Sequence, residues 1–526
     1  MNRLYKKHTG IRDMREKCTL VDFQLVAERS NQTPTELVVL SPEMVEPYKE
    51  VADARIREWL NNMGFDGSDG VKIDRGSADA SAWTHVFVGV ESQSDDVADP
   101  YDYMYGLTAH ANSFDPGTYA FSSQIDLTPV QKANLLLGFG LASYKFEKYK
   151  TEKDVSKVRL VVPSDVDKTE LLRKLQGTTI VQDMINEPPN FMTPGQIERE
   201  AREVAGMFGA KTTVIKGDEL REENKNFPLI YAVGKGAIDN DETAPRLIDI
   251  YWAGPDEGFS PKKRRDLPLV TLVGKGVAFD TGGLSLKTDG QMRNMKYDMA
   301  GAAHALATAY MIMDAKLPVR VRVLLPTVEN MIGSKSYKVD DIIRSRKGDT
   351  IEIVDTDAEG RLILADALYE AAHPTKAHLD PSLIVDFGTI GWFGANNFPG
   401  WASSYANNQS LSDEFYRAVA AEQESFSPRP VMWQLIKHEL ASKVADLRQC
   451  NEDHDNYDDL LAIAFLAHQV GKEVPWMHID LQPWRDEILD STGHVQPPNM
   501  PHGGHAQGVR SVYHMIRDKH PPVGPK

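Results

Sequence analysis

Cysteine is scarce: the 526 residues hold two, Cys18 and Cys450, far apart in the chain. That excludes a disulfide framework and leads to the expectation of a reducing, cytoplasmic setting. No apolar run approaches the ~18 residues of a membrane span, so a membrane is not an expected partner. The first residues lack the apolar core of a signal peptide. Lys6, Lys7, Arg12, Arg15 and Lys17 make them basic, but Asp13 and Glu16 interrupt the run, which weighs against a transit peptide. Positive charge is in deficit: a net charge of -17 argues against nucleic acid or an anionic surface as a partner. The short basic run Lys262-Lys263-Arg264-Arg265 is read as an exposed loop. Several catalytic signatures are missing. His438-Glu439 has no second histidine to complete H-E-x-x-H, and neither a G-x-S-x-G elbow nor a G-K-[ST] phosphate loop occurs. There is no internal repeat and no low-complexity tract.

What is present suffices for large cores: 41% of the residues are hydrophobic, in a chain long enough for two to four domains. Strand-like runs at 19–26, 36–40, 85–90 and 158–162 alternate with helical runs at 45–63 and from Thr128-Pro129 to about residue 150. Residues 64–80, rich in Gly, Asp and Ser, are read as a loop. This predicts a smaller N-terminal α/β domain over residues 1–170. A helix over 170–185 is stopped by Pro188-Pro189, and Thr193-Pro194 opens the next. Strand signals at 212–215, 247–252, 267–273, 319–325, 350–354, 382–387 and 476–480 then alternate with helices. They predict a large domain over 171–526, with a mostly parallel, mixed sheet flanked by helices.

Polar chemistry concentrates in two stretches. Residues 273–298 read V-G-K-G-V-A-F-D-T-G-G-L-S-L-K-T-D-G-Q-M-R-N-M-K-Y-D, and residues 354–362 read V-D-T-D-A-E-G-R-L. Each lies between a β-prone run and a helix-prone run, 267–273 with 300–313 and 350–354 with 360–372. Ligands bind beyond the carboxyl ends of strands in open α/β sheets, so both stretches are expected to face one crevice. Together they supply four carboxylates (Asp280, Asp298, Asp357 and Glu359), two lysines (Lys275 and Lys287) and Arg361. Carboxylates are hard oxygen donors for divalent ions, and Asp280 or Glu359 has the two oxygens needed to bridge a pair. Such a pair acidifies a water held between the ions. A lysine beside them is either a repelled cation or, once deprotonated, a nitrogen ligand, and Lys275 and Lys287 can take one role each.

Two competing motifs fail on their surroundings. Gly274-Lys275-Gly276 lacks the third glycine of a dinucleotide fingerprint, since Phe279 stands there. Asp355 to Asp366 imitates a calcium loop, but β-prone residues precede it where an EF-hand needs a helix.

The two stretches resemble the cytosol (leucyl) aminopeptidase family. Its N-T-D-A-E-G-R-L signature stands here as Asp355-Thr356-Asp357-Ala358-Glu359-Gly360-Arg361-Leu362, with Asp355 in place of asparagine. The family's Gly-Lys-Gly followed by Asp, Lys and Asp matches Lys275, Asp280, Lys287 and Asp298. Further likeness lies in Asn186-Glu187-Pro188-Pro189-Asn190, Thr193-Pro194, Glu329-Asn330 and Trp476-Met477-His478-Ile479-Asp480, so it spans residues 181–516.

The resemblance implies a metal-dependent aminopeptidase that releases N-terminal residues from peptides. It assigns Lys275 as a neutral amine, with Asp280, Asp298 and Glu359, to one ion, and Asp280, Asp357 and Glu359 to the other. Zinc, manganese and cobalt all suit such donors. Lys287 would polarise the scissile carbonyl, and Arg361, permanently protonated, would hold a bicarbonate that serves as the base. A homohexamer is expected. Met295 and the run Thr389-Ile390-Gly391-Trp392 are assigned to the side-chain pocket, where Trp392 replaces a family glycine. Gln482 and Arg485 stand where relatives carry small or apolar residues, and Asp355 is expected behind the metal ligands. Leu and Met are the expected N-terminal residues. The competing expectation is a catalytically inactive peptide- or nucleotide-binding scaffold of the same fold.

Overall fold

The computed structural model describes residues 20–22, 34–40, 42–67, 70–74, 85–89, 114–152, 158–391, 401–451, 457–485 and 502–522. These fall in two compact units, one holding the described residues up to Gln176 and the other those from Gly177 onward. Cys18 and Trp392 lie outside the described residues.

The first unit is a six-stranded sheet in the order β1-β6-β5-β2-β4-β3. Its strands are β1 (Leu20–Asp22), β2 (Thr35–Leu40), β3 (Gly70–Asp74), β4 (His85–Gly89), β5 (Gly117–Phe121) and β6 (Val158–Val162). Every pairing is parallel except that of β3 with β4. The helix expected over 45–63 is two, α1 (Pro42–Val51) and α2 (Ala54–Met63). Asp53 divides them: its backbone is extended and its carboxylate accepts from Ile56 N at 2.8 Å, an N-cap that starts a new helix. The expected loop over 64–80 contains β3, a short Val-Lys-Ile run hidden among turn residues. Thr128 opens α3 (Pro129–Ala142) with a capping box, and Ser143 closes it well before residue 150, its Oγ donating to Phe139 O. Val38, Phe87, Leu135 and Phe139 are among the residues that fill the core.

The division between the units falls within α4 (Lys168–Asn186). In the second unit α5 (Pro194–Met207) follows, capped by Thr193 as its sequence predicts. The main sheet comprises β7 (Lys211–Lys216), β8 (Arg246–Trp252), β9 (Leu269–Gly274), β10 (Gly276–Asp280), β11 (Arg320–Asn330), β12 (Leu383–Gly388), β13 (Ala402–Ala406), β14 (Phe426–Pro430) and β15 (Trp476–Asp480). Their order is β14-β13-β15-β12-β9-β11-β8-β7, with β10 beside the end of β11. The four central strands β15, β12, β9 and β11 run parallel, while β13 and β8 turn antiparallel to their inner neighbours. The sheet is therefore mixed around a parallel centre. Strands buried on both faces read as continuous apolar runs, and β9 and β12 are buried along their whole length. The Thr350–Glu352 strand joins a separate small sheet with Ile342–Arg344 and Leu447–Arg448, which corrects its expected place in the main sheet.

Helices α6 (Ala300–Asp314), α7 (Glu359–Ala372), α8 (Gln409–Glu422), α9 (Asp458–Val470) and α10 (Val509–Lys519) are the longer ones that follow. Beside them are short helices at Pro228–Gly234, Pro261–Arg265, Asp289–Met292 and Leu435–His438, the second of which holds the basic run expected as a loop. Residues of α7 and α9 share one apolar cluster with Val273, Leu324 and Ile384 from the sheet. Helix α6, rich in alanine and buried along nearly its whole length, packs on the same strands without joining that cluster. Among the described residues, no helix is long and apolar enough to cross a membrane.

Candidate active site

Two glycines let both helices that flank β9 come close to its carboxyl end. A Cβ at Gly301, in the first turn of α6, would lie 2.2 Å from Phe387 O and 2.7 Å from Lys275 N. One at Gly360, in the first turn of α7, would lie 2.5 Å from Lys275 Cε. Backbone bonds lock the junction: Lys275 N donates to Phe387 O at 2.9 Å and Ala302 N to Lys275 O at 2.8 Å. Lys275, the residue after β9, is thereby aimed between the starts of two helices.

Its ammonium contacts Asp298 Oδ1 at 2.7 Å, Thr389 O at 2.8 Å and Glu359 Oε1 at 3.0 Å. Asp298 comes from the single 3-10 turn Met295–Met299 that precedes α6, entered through left-handed Asn294. Its Oδ1 also accepts from Thr389 Oγ1 at 2.6 Å. Asp280 ends β10, which exists because Gly276, Val277 and Asp280 pair with the end of β11. Asp280 Oδ1 accepts from Asn330 Nδ2 at 2.8 Å and Gly282 N at 2.9 Å, leaving Oδ2 to face Lys287 Nζ at 2.9 Å. Lys287 also donates to Asp357 Oδ1. The seven charged residues drawn from the two stretches thus divide: Lys275, Asp280, Lys287, Asp298, Asp357 and Glu359 form one cluster, and Arg361 turns to other partners. Arg361 donates to Asp458 and to Gln449 O.

Oxygens of Asp280, Asp357 and Glu359 lie within 4.8 Å of one another. Asp298 Oδ2 and Glu359 Oε2 are buried and meet no hydrogen-bond partner. Burial alone would push both lysines toward the neutral amine, but Asp298 and Glu359 beside Lys275, and Asp280 and Glu359 beside Lys287, hold them charged. Burial, with Asp280 and Glu359 adding to it, pushes Asp357 up to about 7. Burial raises Asp298 and Glu359 as well, against the pull of Lys275.

The other expected residues surround this cluster. Met295 is buried in the turn that carries Asp298, and Thr389 follows β12 with both its oxygen atoms engaged by the cluster. Gln482 Nε2 donates to Gly391 O at 3.4 Å, which puts it against the expected pocket run, whereas Arg485 is buried in the short ladder Trp484–Arg485 with Gly503–Gly504. Asp355 closes the signature turn by accepting from Asp357 N at 2.9 Å. Sequence reasoning assigned no role to Asn330, which ties Asp280 to Thr356 O, or to Gln449 and Asp458. Only Asn330 left a signal, in the Glu329-Asn330 pair.

Comparison with known proteins agrees with this geometry. The profile of the cytosol aminopeptidase family's catalytic domain matches residues 179–513, and that of the M17 aminopeptidase N-terminal domain matches residues 34–163. The probable cytosol aminopeptidase of Roseiflexus castenholzii is 33% identical over 395 residues, 72% of this chain and 74% of that protein. The crystal structure of cytosol aminopeptidase from Coxiella burnetii superposes with a TM-score of 0.81 at 32% identity, covering 95% of this chain and 99% of that one. The bottromycin maturation enzyme BotP in complex with Mn gives a TM-score of 0.75 at 28% identity, over 89% of this chain and 96% of that one. With its catalytic-domain match spanning more than half of its length, and a buried carboxylate and lysine cluster at the strand ends, the chain belongs to the cytosol aminopeptidase family, a family of hydrolases.

Proposed function

We propose that this chain removes N-terminal residues from peptides with two divalent ions held by Lys275, Asp280, Asp298, Asp357 and Glu359. The observation behind this reading is the pair of buried oxygens, Asp298 Oδ2 and Glu359 Oε2, that no donor meets. Buried carboxylate oxygens are costly unless a donor or a cation faces them, and a hard divalent ion suits oxygen donors joined by one lysine nitrogen. When bound, the ions supply an acidified water and a polarised carbonyl.

The chain's own side chains do the rest. Lys275 owes its proton to the carboxylates around it, so it turns into a nitrogen donor when that proton is displaced. Lys287, between Asp280 and Asp357, keeps its proton and offers an N–H to the scissile carbonyl oxygen. Met295 and Thr389 border the substrate's first side chain. The resemblance gives Arg361 a bicarbonate to hold; in this chain its terminal fork holds the Asp458 carboxylate. Zinc, manganese or cobalt serves as the ion. The protein acts in the cytoplasm on peptides as a homohexamer, an assembly that light scattering on the purified chain checks.

Hydrolysis of leucyl-anilide should stop on chelation and return with manganese, zinc or cobalt, and a peptide with a blocked N-terminus should stay intact. Cleavage of the blocked peptide, or full activity in metal-free protein, would sink the reading. On a panel of aminoacyl-anilides Leu and Met should lead, with β-branched and acidic residues behind. Each methylene is worth about 1–3 kcal/mol in an apolar pocket, so the ranking should be graded. If Arg, Asp or Glu overtook Leu in kcat/KM, the pocket assignment would fail.

A separate expectation concerns Gly360. An added Cβ there meets the Lys275 side chain at 2.5–2.8 Å, so that buried side chain, 4% exposed, must shift to clear it. Gly360→Ala should fold, because alanine suits a helix, yet bind less metal than the wild type. Metal content per folded chain is the measurement, and an unchanged value would show that Lys275 is not needed in place.

A further inference from the structure

Thr356 stands between Asp355 and Asp357 in the signature turn. It is fully buried, and each of its polar atoms is bonded to a residue of another segment. Oγ1 accepts from Ser285 N at 2.7 Å and donates to Gly282 O at 2.7 Å. The backbone N–H donates to Ser285 Oγ at 3.2 Å, which makes the Ser285–Thr356 contact reciprocal. The carbonyl accepts from Asn330 Nδ2 at 3.0 Å and from Tyr337 Oη at 2.7 Å. One side chain thus joins the turn that carries Asp357 to the loop that carries Lys287.

That loop, residues 281–287, has little else to hold it. Its two leucines, Leu284 and Leu286, are 48% and 55% exposed, so apolar burial does not fasten it and hydrogen bonds must. Thr281 anchors the near end, with N and Oγ1 donating to Asn330 O at 3.1 and 2.8 Å and its carbonyl accepting from Lys287 N at 3.0 Å. Gly282 and Gly283 carry φ of +82° and +65°, the left-handed region that suits glycine, and a Cβ on Gly283 would lie 3.0 Å from Thr356 Oγ1. The middle of the loop therefore rests on Thr356. Lys287 leaves it with Nζ 2.9 Å from Asp280 Oδ2 and bonded to Asp357 Oδ1. Because Asp357 follows Thr356 directly, the bonds to Ser285 and Gly282 set where the lysine's backbone stands against the carboxylate that its ammonium meets.

We infer that Thr356, with Ser285, is a positioning residue for the hydrolysis, acting through Lys287. The inference rests on the reading of Lys287 as the donor to the scissile carbonyl oxygen. Such a donor acts by being in place before charge develops on that oxygen, and a misplacement of about 1 Å can cost about 10²-fold in rate. Without the Thr356 hydroxyl the lysine keeps its charge and its carboxylates, but its loop is no longer fixed to their turn.

The test compares wild type, Thr356→Val, Thr356→Ser, Lys287→Ala and the double variant Thr356→Val with Lys287→Ala, each loaded with manganese, on leucyl-anilide. Metal per chain, kcat and KM are measured. Thr356→Val, nearly isosteric and without the hydroxyl, should bind the full complement of metal and lose up to about 10²-fold in kcat, with a smaller change in KM. Thr356→Ser restores the hydroxyl and should restore kcat. In the Lys287→Ala background Thr356→Val should cost nothing further, since a residue that acts through another has no effect once that one is gone. If Thr356→Val yields no folded protein, Ser285→Ala, which removes only the acceptor of Thr356 N, goes through the same cycle and should show a smaller loss that also vanishes without Lys287. The inference is overturned by wild-type kcat in Thr356→Val, by a loss that only tracks bound metal, by Thr356→Ser as slow as Thr356→Val, or by losses that multiply in the double variant. Wild-type kcat in Lys287→Ala removes that lysine from the carbonyl, and this inference with it. A metal-loaded wild type that is inactive overturns the two-metal reading itself.

Discussion

Glu359→Ala is expected to abolish peptide hydrolysis and to lower the bound metal. Glu359 opens α7 and is 1% exposed, with Oε1 on Lys275 at 3.0 Å and Oε2 facing no donor. It is the carboxylate that neighbours both Asp298, through their shared lysine, and the Asp280 and Asp357 oxygens. Changes one layer behind metal ligands already cost about 10–100-fold in affinity or activity, so loss of a ligand to both ions should cost more than about 100-fold. The variant has a pH signature too. Burial, then Asp280 and Glu359, pushes Asp357 up to about 7, so in the wild type a proton competes with the ion and metal affinity should fall as pH drops through that value. Removing Glu359 removes one of the three causes, and the midpoint of this competition should move to lower pH. Metal per chain and kcat from pH 5 to pH 9 decide the matter: wild-type kcat with two bound ions in Glu359→Ala would end the two-metal reading.

The sequence discloses the candidate cluster because its residue types stand at short fixed spacing between an apolar run and a helix-prone run. For Lys275 and Asp280 that layout puts the residues at the carboxyl ends of main-sheet strands. Asp357 and Glu359 reach the same cluster although the strand before them, Thr350–Glu352, pairs in the small sheet. The centre of the sheet is legible for a related reason: a strand buried on both faces has no polar option, and Trp476–Asp480 spans the residues expected of it. Elements that exist through a distant partner are not legible. Gly276–Asp280 begins with glycine directly after Lys275 and reads as turn, yet it is a strand because the end of β11 lies beside it. Phe426–Pro430 carries two prolines, which argue against a strand except at an edge, and β14 is the edge. The Asp458–Arg361 pair joins residues 97 positions apart, and an acid at a helix start is explained as well by the helix dipole. Nothing in the local pattern distinguishes the two.

Lys275→Ala and Lys287→Ala are expected to fail in different ways. Both amines are buried among carboxylates that keep them charged, so removing either leaves carboxylates uncompensated. With chelator present that should cost about 3–5 kcal/mol of stability, the usual effect of breaking a buried ion pair. The lysines differ in what they face. Lys275 is enclosed by Asp298, Glu359 and the Thr389 carbonyl, with side-chain exposures of 4%, 5% and 1% for Lys275, Asp298 and Glu359. Lys287 touches Asp280 and Asp357, and the 31% exposed Asp357 side chain marks this as the more open side of the cluster. If Lys275 is a ligand, Lys275→Ala should recover only part of its stability when metal is added and should bind fewer ions than the wild type. If Lys287 only steadies the carbonyl oxygen, Lys287→Ala should bind the full complement, recover its stability and still lose about 10²–10³-fold in kcat, the worth of one oxyanion donor. KM should change less than kcat, because the contact strengthens as charge develops on that oxygen. Melting temperature with and without manganese, metal per chain, kcat and KM together separate the two roles. Equal metal loss in both variants would refute the division, and an unaltered kcat in Lys287→Ala would remove that lysine from the carbonyl.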